Sequence, residues 1–267
     1  MRLPLPLFEA QCTARVAGAS QSDVRLVPEE TAVAFVYDGV SEAVMMATPQ
    51  DLDDFGFGFS LTEGIIGQTS DVCSLKIVSF ASGIELRMEL VEAQRERASK
   101  RRRQRAGPAG CGLCGIESLA QAMRAVPPIT TNFTVKSEEV VESMRLLNEA
   151  QSLNRRTHAI HAAGFYRPDM GAIIVREDVG RHNAVDKVAG VLGRAGGGTD
   201  GLLLLTSRIS VELVQKAAMM GAPVLAAISA PTALALRLAQ DVGICVIGVV
   251  RGTEMEIFTH PERVRPP

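Results

Sequence analysis

Ala172-Ile173-Ile174-Val175-Arg176-Glu177-Asp178-Val179-Gly180-Arg181-His182-Asn183 runs from an apolar stretch through a dense group of charges into a helix-like segment. An apolar strand, a polar end and a helix, in that order, form the repeating unit of layered α/β folds. Here Ala172–Arg176 reads as the strand and Asn183–Arg194 as the helix. The alternation extends in both directions. Strand-like runs recur at Ala159–Tyr166, Leu202–Thr206, Val224–Ile228 and Ile244–Val250, with helical segments at Val211–Met220 and Ala233–Gln240. This pattern predicts a sheet with substantial parallel pairing and helices on both faces. Upstream, Ser137 is expected to cap a further helix, with Glu138 and Glu139 in the first turn where carboxylates suit the helix dipole.

Polar residues gather at the ends of these strands, where sheets of this kind bind ligands. Asp178, Arg181 and His182 follow one strand, and Thr206-Ser207-Arg208 follows another. Ser229-Ala230-Pro231-Thr232 follows a third, and Val249-Val250-Arg251-Gly252-Thr253-Glu254 ends a fourth. Any one of them has a simpler reading as a helix cap or salt bridge. Four around one sheet favour a ligand cleft. Arginines with helix N-termini suit phosphate or pyrophosphate, while Asp178 and Glu254 are placed to accept from a base or sugar. His161 stays open between two roles. Alternation puts it on one strand face with Ala159 and Ala163, either as a satisfied core residue or as the floor of a pocket.

The region from Thr31 to Val91 has a different pattern. Thr31–Tyr37 and Val40–Ala47 are strand-like and joined by Asp38-Gly39, a strong hairpin signal. Thr48 is expected to cap a helix with Pro49 at its first position, continuing through Leu52, Phe55, Phe59 and Leu61. A second hairpin, Leu75–Phe80 with Ile84–Val91, turns at Ser82-Gly83. This is a small α/β unit.

Between the two regions lies Cys111-Gly112-Leu113-Cys114-Gly115, preceded by the basic run Ser99-Lys100-Arg101-Arg102-Arg103-Gln104-Arg105. Nearby cations stabilise a thiolate, and the flanking glycines leave the backbone free to present the sulfur to a large partner. Half a zinc site, a redox dithiol and a presented nucleophile all fit such a pair. A closed zinc site lacks its second pair, because Cys12, Cys73 and Cys245 stand alone, and no metal ligands are assigned. Cys73 and Cys245 read as small buried hydrophobes.

Composition sets the outer bounds. The 267 residues are 46% hydrophobic and 22% charged, with a net charge of −2, which argues against general nucleic-acid binding. Five cysteines, an odd number, do not suggest a secreted disulfide scaffold. Met1-Arg2-Leu3-Pro4-Leu5-Pro6 lacks the apolar core of a signal peptide, and Gly201–Leu205 is too short to span a bilayer. No membrane association is expected, and a reducing cytoplasm is the expected compartment.

Taken together, several stretches resemble the FdhD/NarQ family of formate dehydrogenase accessory sulfurtransferases. They are the Cys111–Gly115 motif, Glu177-Asp178-Val179-Gly180-Arg181-His182-Asn183-Ala184-Val185-Asp186-Lys187, Val211–Ala217 and Ser229–Thr232. Leu61-Thr62-Glu63-Gly64-Ile65-Ile66 is similar to the family's N-terminal signature, and the likeness extends from about Glu29 to Val264. The resemblance implies a cytidine-deaminase-like layered α/β domain with a smaller N-terminal α/β roll. On that basis the roll, its tail and the basic segment are expected over residues 1–106, the Cys-x-x-Cys loop with a helix over 107–130, and the layered domain over 131–267. It also implies a sulfur relay. A cysteine desulfurase would pass persulfide sulfur to Cys111, with Cys114 beside it. The sulfur would then reach a molybdenum or tungsten bis-pyranopterin guanine dinucleotide cofactor destined for formate dehydrogenase. Val249 to Glu254 match the family's cofactor-contact stretch, and His161, Asp178, Arg181, His182 and Arg208 are further expected contacts. A guanine nucleotide would act as a fragment of that ligand. A homodimer is the family-based expectation.

Two departures carry information. Deaminases need His-x-Glu followed by Pro-Cys-x-x-Cys; here His161 is followed by Ala162-Ala163, and Gly110 stands before Cys111. Deamination is therefore excluded as the expected activity. Thr206-Ser207-Arg208 stands where the family pattern has Ser-Gly-Arg, so a side chain at Ser207 is expected to restrict backbone approach to a phosphate.

Overall fold

The computed structural model describes residues 2–16, 19–95, 124–196 and 198–266. Two strands open the chain, β1 (Leu7–Val16) and β2 (Ala19–Pro28), paired antiparallel over ten positions. Next come β3 (Thr31–Tyr37), β4 (Val40–Ala47), α1 (Leu52–Thr62), β5 (Val72–Phe80) and β6 (Gly83–Leu90). These four strands form one sheet in the order β4-β3-β6-β5. Strict alternation in β6 buries Ile84, Leu86, Met88 and Leu90 on one face. With Val33, Phe35 and Tyr37 they meet Phe55 and Phe59 of α1 in a single apolar core. The Phe35 ring stacks on Phe59 at 4.0 Å and meets Phe55 edge-on at 4.9 Å.

The second half begins with the short strand β7 (Val135–Lys136), α2 (Ser137–Ala150) and one turn, α3 (Asn154–Thr157). It continues through β8 (His161–Arg167), β9 (Ala172–Asp178), α4 (Arg181–Arg194), β10 (Leu202–Leu205) and α5 (Val211–Met220). Then come β11 (Val224–Ala227), α6 (Ala233–Val242), β12 (Cys245–Arg251), β13 (Glu254–Ile257) and β14 (Val264–Arg265). Six of these strands make one sheet, ordered β13-β12-β11-β10-β8-β9. Alternate residues feed opposite cores. Leu203, Leu205, Leu225 and Val246 face α4, α5 and α6, while Leu202, Leu204, Ala226 and Ile247 face α2. The molecule is thus the expected mixed α/β architecture, a three-layered unit beside a smaller roll. Parallel pairing is confined to β10–β11 and β11–β12; the remaining pairs of this sheet are antiparallel.

Helix α1 lies between the two sheets and packs directly on α4. Glycines make that approach possible. A Cβ at Gly58 would stand 1.6 Å from the Asp186 carbonyl oxygen, and one at Gly190 would stand 1.8 Å from that of Asp54. No side chain fits at either crossing point.

Four expectations change. The first helix starts at Leu52 after Asp51, whose φ of 54° is left-handed, so Thr48 and Pro49 lie outside it. Thr48 is instead held by the other half of the molecule, as described below. Lys136, not Ser137, precedes α2, and the Glu139 carboxylate accepts from the Lys136 N–H at 2.8 Å. Cys73 is exposed at an irregularity between Val72 and Ser74, where the register shifts. The β1–β2 ribbon has no counterpart in the sequence reading. Cys245, by contrast, is buried, and burial pushes its thiol up to about 12.

Candidate functional site

Register brings the polar strand ends to one edge of the six-stranded sheet. Asp178 at the end of β9 pairs with His161 at the start of β8. Ala163 of β8 pairs with Leu205 at the end of β10, and Leu205 with Ala227 at the end of β11. Ala226 pairs with Ile247, after which β12 runs out to Arg251. Helices α4, α5 and α6 therefore all start from this edge. Their connecting loops are tied to one another. The Ala162 N–H donates to Thr206 Oγ1 at 2.8 Å, and the Thr232 N–H to the Ile209 carbonyl at 3.0 Å.

The charged residues of this edge divide into two sets. Asp178 is fully buried and both its oxygens are engaged. Oδ2 accepts from Lys187 Nζ at 2.6 Å and the Thr48 N–H at 3.0 Å; Oδ1 accepts from the Gly180 N–H at 2.8 Å and Asn183 Nδ2 at 2.9 Å. Lys187, equally buried, also donates to the Thr48 carbonyl at 3.0 Å, and Asn183 to that of Met46 at 2.8 Å. Thr48 Oγ1 accepts from the Val179 N–H at 3.1 Å. Asp178 thus joins the roll to the layered unit and has no oxygen left for a base or sugar. Glu177 turns the other way and accepts from Ser152 Oγ and the N–H groups of Leu153 and Asn154 at the start of α3.

A second buried group stands where the end of α1 meets α4 and α5. Lys216 Nζ donates to Asp186 Oδ1 at 2.7 Å, Glu63 Oε1 at 2.9 Å and Thr62 Oγ1 at 3.1 Å. Burial works against the Lys216 ammonium, but Asp186 and Glu63 outweigh it and hold its pKa above the ordinary value. Burial raises that of Asp186, against the pull of Lys216. Arg124 donates to Glu63 Oε2 and to the Thr62 carbonyl, both at 2.9 Å. Lys216 entered the sequence reading only as part of the Val211–Ala217 stretch and Arg124 not at all, because their partners come from distant segments.

The other set is unpaired. Arg181, Arg208 and Arg251 form no side-chain hydrogen bond or ion pair with any described residue. Arg208 and Arg251 are exposed and Arg181 is partly so. Two inter-strand spacings separate β9 from β10 and four separate β9 from β12, so the strand ends from which they come span about 19 Å. Neither Gly180 nor Ser210 supplies a side-chain cap to α4 or α5. Ser207 is buried with its hydroxyl donating to the Arg208 carbonyl at 3.2 Å, folded against its own loop. The expected obstruction to a phosphate is turned inward.

Both histidines are held neutral. Burial lowers the His161 pKa, the nearby Arg181 adds to this, and Asp178 opposes it. His182 is pushed down to about 4 by burial, then by Arg181 and Lys216, against Glu212 and Glu63. Its Nε2 is buried without a hydrogen-bond partner among the described residues. Val249 to Glu254 form an irregular end to β12. Val249 is left-handed at φ 52°, the register shifts between Gly248 and Arg251, and Gly252 makes the turn at φ 58°. Val250 is buried, while Arg251, Gly252, Thr253 and Glu254 are exposed.

Cys111, Cys114, the basic run and the helix expected after them lie outside the described residues. The described chain on either side is anchored: Arg95 Nε pairs with Asp38 at 2.9 Å, and Arg124 with Glu63. Among the described residues there is no group of three His, Cys, Asp or Glu able to hold a metal ion. No described helix is long and apolar enough to cross a membrane.

Comparison with known proteins places this arrangement. A protein from Agrobacterium fabrum named sulfur carrier protein FdhD is 50% identical over 254 residues, 94% of each chain. One of the same name from Brucella abortus is 49% identical over 252 residues, 94% of this chain and 93% of its own. A crystal structure from Desulfotalea psychrophila, described as a formate dehydrogenase accessory protein, superposes with a TM-score of 0.77. It covers 98% of this chain and all of its own at 23% identity, a likeness of fold. The FdhD/NarQ family pattern matches residues 28–265, which include the roll, the buried clasp and the arginine edge, and the chain belongs to that family.

Proposed function

We propose that this protein is a sulfurtransferase that relays persulfide sulfur from a cysteine desulfurase to a bis-pyranopterin guanine dinucleotide carrying molybdenum or tungsten, for use by formate dehydrogenase. The relatives' names support the sulfur-carrying half. The observation that carries the cofactor half is the arginine edge: three cations without a hydrogen-bond or ion-pair partner among the described residues, at strand ends that span about 19 Å, beside helix N-termini that lack side-chain caps. Such an edge suits an extended ligand with several phosphates. A small anion needs only one of these positions. Arg181, Arg208, Arg251 and the exposed backbone from Gly252 to Glu254 would hold the nucleotide arms. Neutral His161 and His182 would bond uncharged parts of the ligand.

The carrier step falls to Cys111. Its thiolate attacks the outer sulfur of the desulfurase persulfide, a new S–S bond forms, and the desulfurase cysteine leaves as thiolate. Release can be balanced by Cys114. Its attack on the Cys111 sulfur expels sulfide and leaves a Cys111–Cys114 disulfide, which a cellular dithiol then reduces. A cytoplasmic homodimer belongs to the same reading. A cofactor-binding chaperone without sulfur chemistry would need no thiol, and a general thiol–disulfide oxidoreductase would reduce unrelated disulfides.

Intact-mass analysis after incubation with a cysteine desulfurase and cysteine separates these readings. The expected result is a reductant-labile gain of one or more sulfur atoms on Cys111, abolished in Cys111→Ala together with activation of formate dehydrogenase. Labelling of exposed Cys12 or Cys73 instead, or full activation by Cys111→Ala, overturns the relay.

A further inference from the structure

We propose that Phe258 is the aromatic face on which a purine base of the bound nucleotide stacks. This rests on the nucleotide reading above and adds a residue and a ligand moiety to it. Phe258 directly follows β13 and is 38% exposed. An exposed phenylalanine is ordinarily free to move, but here the chain around it is fixed. The Phe258 N–H donates to the Val246 carbonyl at 2.9 Å. The next residue, Thr259, is buried; its hydroxyl accepts from the Val246 N–H at 2.9 Å and donates to the Ile244 carbonyl at 2.7 Å. The ring itself is seated on Gly248. A Cβ there would lie 2.9 Å from Phe258 Cε2, 3.1 Å from Pro231 Cδ and 3.2 Å from the Ser229 carbonyl oxygen. Any side chain at position 248 would displace the ring.

The outcome is a held aromatic ring left partly open beside the ligand edge. Holding it before binding removes part of the ordering cost that a mobile side chain would add. Arg251 lies three residues beyond Gly248, at most about 10 Å along a strand. An apolar ring and a cation at that separation suit the two ends of one nucleoside diphosphate, the base on Phe258 and the phosphates at Arg251. Stacking on an aromatic ring is tolerant of base identity, so this contact reports a base and not which base.

The test compares guanosine diphosphate with inorganic pyrophosphate as probes, using calorimetry on the full chain. Phe258→Leu keeps apolar bulk over Gly248 and removes the π face. It should weaken guanosine diphosphate about tenfold and leave pyrophosphate unchanged. Arg251→Ala should weaken both probes. Equal guanosine diphosphate affinity in wild type and Phe258→Leu overturns the stacking role while leaving the nucleotide site intact. Parallel loss of both probes in Phe258→Leu also overturns it, since the residue then only supports the edge. A change in oligomeric state with unchanged nucleotide affinity assigns the ring to contact between copies and overturns it too. No binding of guanosine diphosphate by folded wild type removes the nucleotide reading itself, and this contact with it.

Discussion

The clasp between the roll and the layered unit, and the open edge of the six-stranded sheet, are built from the same kinds of residue with opposite results. In the clasp every charge is matched. Asp178 takes four hydrogen bonds, Lys187 reaches a carboxylate and a carbonyl, and both are shut off from water. Along the edge, Arg181, Arg208 and Arg251 have no such match among the described residues. The two sets interleave in sequence: Arg181 and His182 lie between Asp178 and Lys187. One family signature therefore does two jobs, and composition alone does not separate them. Matched buried charge marks what joins the two halves, and unmatched exposed charge is what the proposed nucleotide site would draw on.

The largest expected effect comes from breaking the clasp. Lys187→Ala leaves the Asp178 carboxylate buried and unpaired, which costs about 3–5 kcal/mol. In a chain of this size the melting temperature should fall by on the order of 10 °C. Arg251→Ala should move it by no more than about 0.5 kcal/mol equivalent, because no described residue bonds to that side chain. Thermal melts of both variants check this. Similar losses in the two would erase the distinction between clasp and edge.

His182 stands on the border between the two sets, and pH sharpens its assignment. The folded state holds it neutral with a pKa near 4, against about 6.5 in an unfolded chain. The unfolded state therefore binds the proton first. Stability from this group is present above about pH 6.5 and is lost as pH falls toward 4, by up to roughly 3 kcal/mol. The groups around it are Arg181, Lys216, Glu212 and Glu63. In His182→Gln, which cannot titrate, that part of the acid loss should vanish from melts taken between pH 7 and 4. Superimposable pH profiles for the two proteins would mean that the imidazole is hydrated and charges freely.

Much of this was legible in the sequence, and the gaps share a physical cause. Apolar runs of four residues such as Leu202–Leu205 and Val224–Ala227 announce buried strands by themselves, and the polar residues after them follow from chain direction. Convergence on one edge needed only that β8 run antiparallel to β9 and β10. What failed depended on partners far along the chain. Thr48-Pro49 has the local look of a helix start, but Thr48 is committed to Asp178, Val179 and Lys187, about 130 residues away. Gly56 and Gly58 would weaken an isolated helix, yet Gly58 is where the Asp186 backbone touches α1. The β1–β2 ribbon was missed because its strands are mostly exposed and so carry no sustained apolar alternation.

A small predicted effect bears on the edge alone and turns on its sign. Val249 holds a left-handed backbone, which costs a β-branched residue roughly 1–2 kcal/mol. Its N–H faces the Ser229 carbonyl at 3.4 Å, and the irregularity it creates directs β12 out toward Arg251. Val249→Gly should relieve the strain. Since glycine also gains freedom in the unfolded chain, worth roughly 0.5–1 kcal/mol, the net gain should be small, about 0.5–1 kcal/mol. Its neighbour supplies the control. Val250 is buried within the core against α2, so Val250→Gly should lose about 2–4 kcal/mol. Denaturant melts of the pair decide the sign, and guanosine diphosphate titration of Val249→Gly decides the reason. A more stable protein that binds the nucleotide less well means the fold keeps the strain to hold Arg251 and the turn after it in place. Higher stability with unchanged binding would show that Gly248 and the turn at Gly252 hold that geometry without the strain, leaving Val249 with no part in the site.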